Sequence, residues 1–227
     1  MDHKRLTLFA GHYGSGKTNI AVNYALQLAN EGKKVCIADL DIVNPYFRTA
    51  DSAKDLEAAG VELIAPQFAN SNVDLPALPA QAYKLVEDHS TYGVMDIGGD
   101  DRGAYALGRY VPFIRKENNY RMIFVANCCR PLTETPEDAL EVMREIEAAC
   151  GLSFTHIANN SHLGSLTDAQ TILDSQDYVQ KLSKLSGLPI YLTTVRADLA
   201  ADVSKHIPNV LPLQLQEKYF DLPEQKR

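Results

Sequence analysis

A glycine-rich segment of eight residues carries the side chains in this sequence that are best suited to bind phosphate. Gly11–Thr18 reads GHYGSGKT and fits the pattern G-x-x-x-x-G-K-[ST] in full. Glycines allow several backbone N–H groups to approach phosphate oxygens, Lys17 can reach the β- and γ-phosphates, and the Thr18 hydroxyl can bind Mg²⁺. We call Gly11–Thr18 the phosphate loop, and its pattern predicts a site for a nucleoside triphosphate with magnesium.

The segments on either side of the phosphate loop support this interpretation. Leu6–Ala10 is an apolar strand candidate, and Asn19–Ala29 repeats apolar residues at helical spacing. One alternative is a glycine turn that precedes a lysine by chance. The other is a dinucleotide-binding fold, in which Asp39 would be the acidic residue about twenty positions on, but that fold requires a glycine where this chain has Asn19.

Length and composition indicate one α/β domain of ordinary globular composition. The 227 residues, 45% of them hydrophobic, suit one α/β domain over 1–227, with a partly irregular C-terminal tail over 207–227. The formal net charge of −7 disfavours broad nucleic-acid binding. No apolar run is long enough to span a membrane, and the four cysteines do not form a disulfide framework. We therefore expect a cytoplasmic location.

Apolar runs of strand length alternate with helical patterns along the chain. Such alternation predicts a three-layer α/β fold with a mostly parallel sheet and helices on both faces. The predicted strands cover 6–10, 34–38, 61–65, 92–96, 122–126, 155–159 and 189–193, and the predicted helices cover 19–29, 76–88, 103–117, 136–149 and 168–186, with a short one near 214–220.

Acidic residues follow two of the predicted strands. Asp39 and Asp41 end the second strand, and Asp96 ends the strand at 92–96, just before Gly98–Gly99. Ligands of open α/β sheets bind outside the carboxyl ends of the strands, so these carboxylates are expected at the ligand edge. Asp96 suits a magnesium contact beside Thr18, with a helix cap as the alternative. The two glycines would let the backbone approach a γ-phosphate.

The phosphate loop and these two strand ends, Asp39-Leu40-Asp41 and Asp96-Ile97-Gly98-Gly99, resemble one class of P-loop proteins. That class includes Min-type and Par-type partitioning ATPases, nitrogenase iron protein and dethiobiotin synthetase. The resemblance implies that Asp41 polarises the attacking water and that Asp39 assists the metal or the loop geometry. The alternative is that both acids only cap the segment after the strand. Many members carry a lysine where this chain has His12, so a homodimer stays open.

Base recognition is assigned to the strand end at 155–160. The guanine-specific motif N-K-x-D does not occur in the sequence, which favours ATP. An asparagine amide can donate to and accept from an adenine edge, and the resemblance places such a contact at Asn159 or Asn160. A turn is the alternative. The residues expected to contact ATP are Gly11, Gly14, Ser15, Gly16, Lys17, Thr18, Asn19, Asn159 and Asn160, and those expected at Mg²⁺ are Thr18, Asp39 and Asp96.

The leading hypothesis is a Mg²⁺-dependent ATPase in which Lys17 and Asp41 are catalytic. Hydrolysis would switch the loops 41–50 and 97–105 and thereby an unidentified protein partner or cargo. The alternative is a small-molecule kinase or ATP-dependent ligase of the same fold. Its substrate pocket would lie near Tyr46, Phe47, Arg48 and Arg102. A third reading is a nucleotide-binding scaffold without turnover.

The adjacent cysteines Cys128 and Cys129 follow the strand at 122–126. Thiolates bind soft metals, but one metal needs about four ligands and no C-x-x-C accompanies the pair. A metal site here would therefore need a dimer to complete it.

Overall fold

A computed structural model describes residues 3–41, 49–65, 80–99 and 101–215 of the chain, and for Ala80, Asp101, Arg102 and Ser165 it describes only the backbone. The strands in these residues are β1 (Leu6–Ala10), β2 (Val35–Leu40), β3 (Glu62–Ile64), β4 (Tyr92–Ile97), β5 (Tyr120–Ala126), β6 (His156–Asn159), β7 (Ile190–Arg196) and β8 (Val210–Leu213). They form one sheet in the order β3-β2-β4-β1-β5-β6-β7-β8, and each neighbouring pair is parallel. The predicted α/β fold is confirmed.

Helices lie on both faces of the sheet. They are α1 (Lys17–Asn30), α2 (Ala53–Ala58), α3 (Lys84–Glu87), α4 (Asp101–Gly108), α5 (Val111–Glu117), α6 (Pro136–Cys150), α7 (Ala169–Asp174), α8 (Gln176–Ser186) and α9 (Ala200–Val203). On one face, Ile20 and Tyr24 of α1 share a buried cluster with Phe9 of β1. On the other, Met143 of α6 shares a cluster with Leu8 of the same strand. Successive strand residues point to opposite faces, so one strand serves both cores.

Two predicted helices are wrong in their continuity. The helix predicted over 103–117 is two helices, α4 and α5, with a turn at Arg109–Tyr110 and Pro112 near the start of the second. The helix predicted over 168–186 is interrupted at Ser175, between α7 and α8. The predicted helix at 76–88 is a 3₁₀ turn and the short α3 where it falls on described residues, and 76–79 lies outside them.

The start of the predicted irregular tail contains a strand. β8 pairs with β7, with Thr194 opposite Leu211 and Arg196 opposite Leu213. Asn23 of α1 then fixes the next residue, because its amide donates to the Gln214 carbonyl at 3.0 Å and accepts from the Gln214 N–H at 2.8 Å. The short helix predicted near 214–220 falls outside the described residues from 216 onward. In the described part of the chain, no helix is both long and apolar enough to cross a membrane.

Candidate nucleotide-binding site

The phosphate loop joins the end of β1 to the start of α1. Ser15 N–H donates to the His12 carbonyl at 3.1 Å, and Ile20 N–H donates to the Gly16 carbonyl at 3.2 Å, which begins the helix. Lys17 is 4% exposed, and its Nζ donates across the loop to the His12 carbonyl at 3.3 Å. The ammonium is therefore held over the loop, at the helix N-terminus, where anions bind.

Gly16 shows why the loop requires glycine at that position. Its φ of 89° lies in the left-handed region. A Cβ atom there would also lie 2.2 Å from Nδ2 of Asn160, which donates to the Ser15 carbonyl at 2.5 Å. The Thr194 hydroxyl donates to Oδ1 of Asn160. Asn160, one of the two predicted base contacts, therefore lies against the phosphate loop and ties it to β7.

Asn159, the other predicted base contact, lies deeper in the sheet. It is fully buried, its Nδ2 donates to Ser175 Oγ at 2.8 Å, and its Oδ1 accepts from the N–H and hydroxyl of Ser161. Both of its amide groups are engaged by protein atoms, and so are both groups of Asn160. Base recognition by these two residues stays a prediction.

Thr18 and Asp96 meet at the other side of the loop. The Thr18 hydroxyl donates to Asp96 Oδ2 at 2.6 Å, and the Thr49 hydroxyl donates to the same oxygen at 3.3 Å. Asp96 is fully buried, and its Oδ1 has no hydrogen-bond partner among the residues described. A buried carboxylate oxygen without a donor is costly unless a ligand completes it.

The predicted metal residue Asp39 lies next to Asp96. The two aspartates are opposite each other in the pairing of β2 with β4. Asp39 accepts from Asp41 N–H at 3.0 Å and from Thr49 N–H at 3.2 Å, which fixes the start and end of the intervening loop. Thus the structure brings Asp39, Asp41 and Asp96 to one edge of the sheet, all of them buried.

The electrostatics of this acidic group favour a bound cation. Burial raises the pKa of Asp39 above its ordinary value, and the nearby Asp96 carboxylate raises it further. Burial also raises the pKa of Asp96, while the Lys17 ammonium and the Thr18 hydrogen bond oppose that rise. Charged carboxylates in such a setting need a positive partner.

The donor set fits magnesium that is completed by phosphate oxygens and water. Mg²⁺ is commonly held by one or two carboxylates together with substrate phosphates. Within the described ranges, no group of three or more His, Cys, Asp or Glu side chains is placed to hold a metal ion by itself. Thr18 and Asp96, with the open Oδ1, could therefore supply part of a magnesium site but not a complete one.

The segment after β4 packs directly on the phosphate loop. A Cβ atom at Gly99 would lie 2.5 Å from the Gly11 carbonyl oxygen and 2.7 Å from Tyr13 N. A Cβ atom at Gly98 would lie 3.2 Å from Asp41 Oδ1, and one at Gly103 only 2.4 Å from the Gly98 Cα. These contacts connect the loop with Asp41 and with the first turn of α4.

Several predicted features lie outside the described residues. The candidate switch loop 41–50 is described only at Asp41 and from 49 onward, so Tyr46, Phe47 and Arg48 fall in the undescribed part. The Arg102 side chain also falls outside it. Cys128 and Cys129 are described as free, half-buried thiols.

The sequence interpretation missed Arg130 and Thr49. Arg130 Nε donates to the Gly14 carbonyl at 2.9 Å, although Arg130 is distant from the phosphate loop in sequence. Its position just after β5, at the carboxyl edge of the sheet, was a signal that could have found it. Thr49 is isolated in the sequence, and only the fold brings it to Asp39 and Asp96.

Among the comparisons with known proteins, only the comparison with solved structures finds matches. No protein-family model matches the chain, and no curated protein sequence matches it either. The chain is similar to the cell division protein FtsY from Thermotoga maritima, at 16% identity with a TM-score of 0.59, over 84% of this chain and 61% of that one. It is similar to FtsY from Mycoplasma mycoides, at 17% identity with a TM-score of 0.56, over 84% of this chain and 59% of that one.

A third similar structure is the signal recognition particle receptor FtsY from Elizabethkingia anophelis, in complex with GDP. Its identity is 16% and its TM-score 0.51, over 86% of this chain and 58% of that one. The chain spans about three fifths of the length of these three structures. Together with the eight-stranded parallel sheet, the likeness establishes the P-loop NTPase fold, which by itself leaves the activity open.

Proposed function

We propose that this protein binds ATP with Mg²⁺ and hydrolyses it as a nucleotide switch that acts on a protein partner or cargo. The observation that carries the proposal is the buried contact of Thr18 with Asp96, beside the phosphate loop, with Asp96 Oδ1 left unsatisfied among the described residues. A hydroxyl and a carboxylate at this position form half of a magnesium site that phosphate oxygens complete.

Each residue of the site has a distinct role in the proposal. The backbone N–H groups of the phosphate loop bind the phosphates, and Lys17 neutralises the β- and γ-phosphate charge. Thr18 and Asp96 hold Mg²⁺, and Asp39 supports the metal side of the site by fixing Asp41 and Thr49. Asp41 orients the attacking water. When bound, the metal would supply positive charge that offsets the buried carboxylates and the phosphates.

The nucleotide contacts of the proposal extend beyond these charged groups. They include Gly11, Gly14, Ser15, Gly16 and Asn19. Asn160 holds the phosphate loop on the side where the nucleotide base is proposed to bind. Asn159 lies behind Asn160 and contributes by holding Ser161 and Ser175. We propose ATP in preference to GTP because the sequence has no N-K-x-D motif.

The switch is proposed to act through Gly99. Its backbone touches the phosphate loop, and the chain continues from it into α4, so a loop that closes on a γ-phosphate would move that helix. The strand ends support membership of the Min-type and Par-type class. A homodimer and a cytoplasmic location are part of the same proposal, and His12 would then stand where that class carries its interface lysine.

Calorimetry and phosphate release test the proposal. We expect the wild type to bind ATP with Mg²⁺ and to release phosphate slowly without any added acceptor. Lys17→Ala should lower turnover by at least about 10²-fold, because one preorganised charge on the transferred phosphate is lost. Lys181→Ala, an exposed lysine on α8, is the matched control and should leave turnover unchanged.

The same assay separates the proposal from its rivals. Negligible turnover that one metabolite restores would indicate a kinase or ligase. Tight ATP binding without phosphate release under any condition would indicate a scaffold. Unchanged hydrolysis by Lys17→Ala would refute the assignment of the phosphate loop.

A further inference from the structure

Arg130 contacts the phosphate loop from the side opposite the acidic residues. It lies four residues beyond the end of β5, and its Nε donates to the Gly14 carbonyl at 2.9 Å. A Cβ atom at Gly14 would lie 3.7 Å from that Nε. Among the described residues no carboxylate forms an ion pair with Arg130, and the side chain is only partly buried. Its charge is thus not neutralised by a protein acid in this part of the chain.

The backbone that carries Arg130 is tightly braced by the fully buried Asn127. The Asn127 carbonyl accepts from Arg130 N–H at 3.2 Å and from the Thr133 hydroxyl at 2.7 Å. Its side-chain Oδ1 accepts from Cys129 N–H at 3.0 Å. Because hydrogen bonds to Asn127 fix the turn on both sides of Arg130, its side chain projects from a rigid backbone, as a binding residue requires.

His162 is held by the same residue, Asn127, and its ring faces Gly16 of the phosphate loop. Its N–H donates to Asn127 Oδ1 at 3.4 Å, and its Nε2 would lie 3.3 Å from a Cβ atom at Gly16. Gly164 N–H donates to Nδ1 at 3.1 Å, so Nδ1 is an acceptor and Nε2 carries the proton of the neutral ring. Burial lowers the pKa of His162, and the charge of Arg130 lowers it further.

The strand order tells which part of a nucleotide these two side chains meet. β4, which carries Asp96, borders β1 on one side, and β5 followed by β6 borders it on the other. The metal and the terminal phosphates belong with Thr18 and Asp96. A nucleotide bound by the phosphate loop must therefore extend its ribose and base over the carboxyl ends of β5 and β6, where Arg130 and His162 lie.

We propose that Arg130 is a nucleotide-binding residue whose planar guanidinium packs against the ribose and base, with His162 beside it. This inference rests on the proposed function and assigns its nucleoside subsite. A guanidinium is suited to this contact because it is flat, weakly hydrated and stacks on π-faces. Since every base offers such a face, the contact holds adenine and guanine nucleotides alike and contributes affinity without choosing the base.

Titration calorimetry with four probes tests the assignment: ATP, ADP, GTP and inorganic tripolyphosphate, each with Mg²⁺. We expect Arg130→Ala to weaken ATP, ADP and GTP by a common factor of about ten, and to leave tripolyphosphate unchanged. Arg130→Lys keeps the charge but loses the planar fork, so its affinities should lie near those of Arg130→Ala. Arg144→Ala, on the exposed side of α6, is the control and should match the wild type.

Other outcomes overturn the assignment in distinguishable ways. An equal loss for tripolyphosphate would mean that Arg130 only shapes the phosphate loop, and a loss for ATP without one for ADP would place it at the terminal phosphate. Wild-type affinity in Arg130→Lys would mean that Arg130 contributes only its positive charge and that its planar shape is not needed. If the wild type bound none of the four probes, the proposed function would fail as well, whereas wild-type binding that Arg130→Ala leaves intact removes only this assignment. Circular dichroism confirms folding, and Arg130→Lys carries the test if Arg130→Ala does not fold.

Discussion

Gly99→Ala tests whether the segment after β4 is in tight contact with the phosphate loop. The added methyl carbon would lie 2.5 Å from the Gly11 carbonyl oxygen, against the 3.4 Å at which ordinary contact begins. The loop and the segment must then separate by about 1 Å. Both contacting surfaces are backbone, so no side-chain rotation can relieve the overlap.

The size of the effect follows from that overlap. Overpacking of a close contact costs about 1–3 kcal/mol of the free energy of unfolding, and a backbone contact should lie toward the upper end. A displacement of about 1 Å also misaligns the loop N–H groups with the phosphates, for which a loss of about 10²-fold in turnover is expected. Urea unfolding measures the first effect, and phosphate release with calorimetry measures the second.

Gly108→Ala is the matched control. Its methyl carbon would meet nothing closer than the Cys150 carbonyl oxygen at 3.8 Å, and Gly108 is the last residue of α4. Alanine should leave stability unchanged or raise it by up to about 1 kcal/mol, with ATP affinity unchanged. If Gly99→Ala instead bound and hydrolysed ATP like the wild type, the coupling of α4 to the loop through this contact would be refuted.

Two further predictions concern the acidic residues. Asp41→Asn should slow phosphate release by about 10²–10³-fold while the calorimetric ATP affinity changes little, because the proposed role of Asp41 is in water orientation; an equal loss of affinity would contradict that role. Asp96→Asn should remove the gain in ATP affinity that Mg²⁺ gives, because Asp96 is proposed to hold the metal, yet it should stabilise the ligand-free protein. Burial raises the folded-state pKa of Asp96, so the wild type loses stability as pH rises from about 4 through that raised pKa. In urea unfolding the advantage of Asp96→Asn should therefore be present at pH 8 and shrink toward pH 4, and the same advantage at both values would rule out the carboxylate charge as its cause.

The parts of the fold that were predicted from sequence depend on local patterns. The phosphate loop needs glycine at Gly16 for its backbone angle, and the apolar runs before Asp39 and Asp96 end where the strands meet the ligand edge. Because parallel strands share one carboxyl edge, the clustering of these acids was foreseeable. Their direct opposition in the pairing of β2 with β4 was not, since register depends on residues far apart in the chain.

The missed elements have specific physical causes. β8 contains Pro212, and proline argues against a central strand, but β8 is the edge strand of the described sheet, where the missing N–H costs nothing. The continuous apolar pattern over 103–117 hid the break before Pro112, although proline inside a helix removes a hydrogen bond and is favoured in a first turn. Ser175 lies where α7 ends and α8 begins, and its hydroxyl donates to the Ile172 carbonyl and accepts from Asn159, a long-range contact that the local sequence pattern does not reveal.

The site can also be located from polar residues whose burial destabilises the ligand-free protein. Asp39 and Asp96 are buried side by side on adjacent strands, where two apolar residues would pack without an electrostatic penalty. Lys17 is buried at the phosphate loop, where its hydrogen-bond partner is the His12 carbonyl. Ser15 Oγ has no hydrogen-bond partner among the described residues. Each of these groups is poorly satisfied by the protein alone, and each would be completed by a phosphate or a magnesium ion. If these residues served only stability, apolar or neutral residues would suit their positions better. Their presence together at one sheet edge therefore argues that they bind a ligand of high negative charge together with its cation.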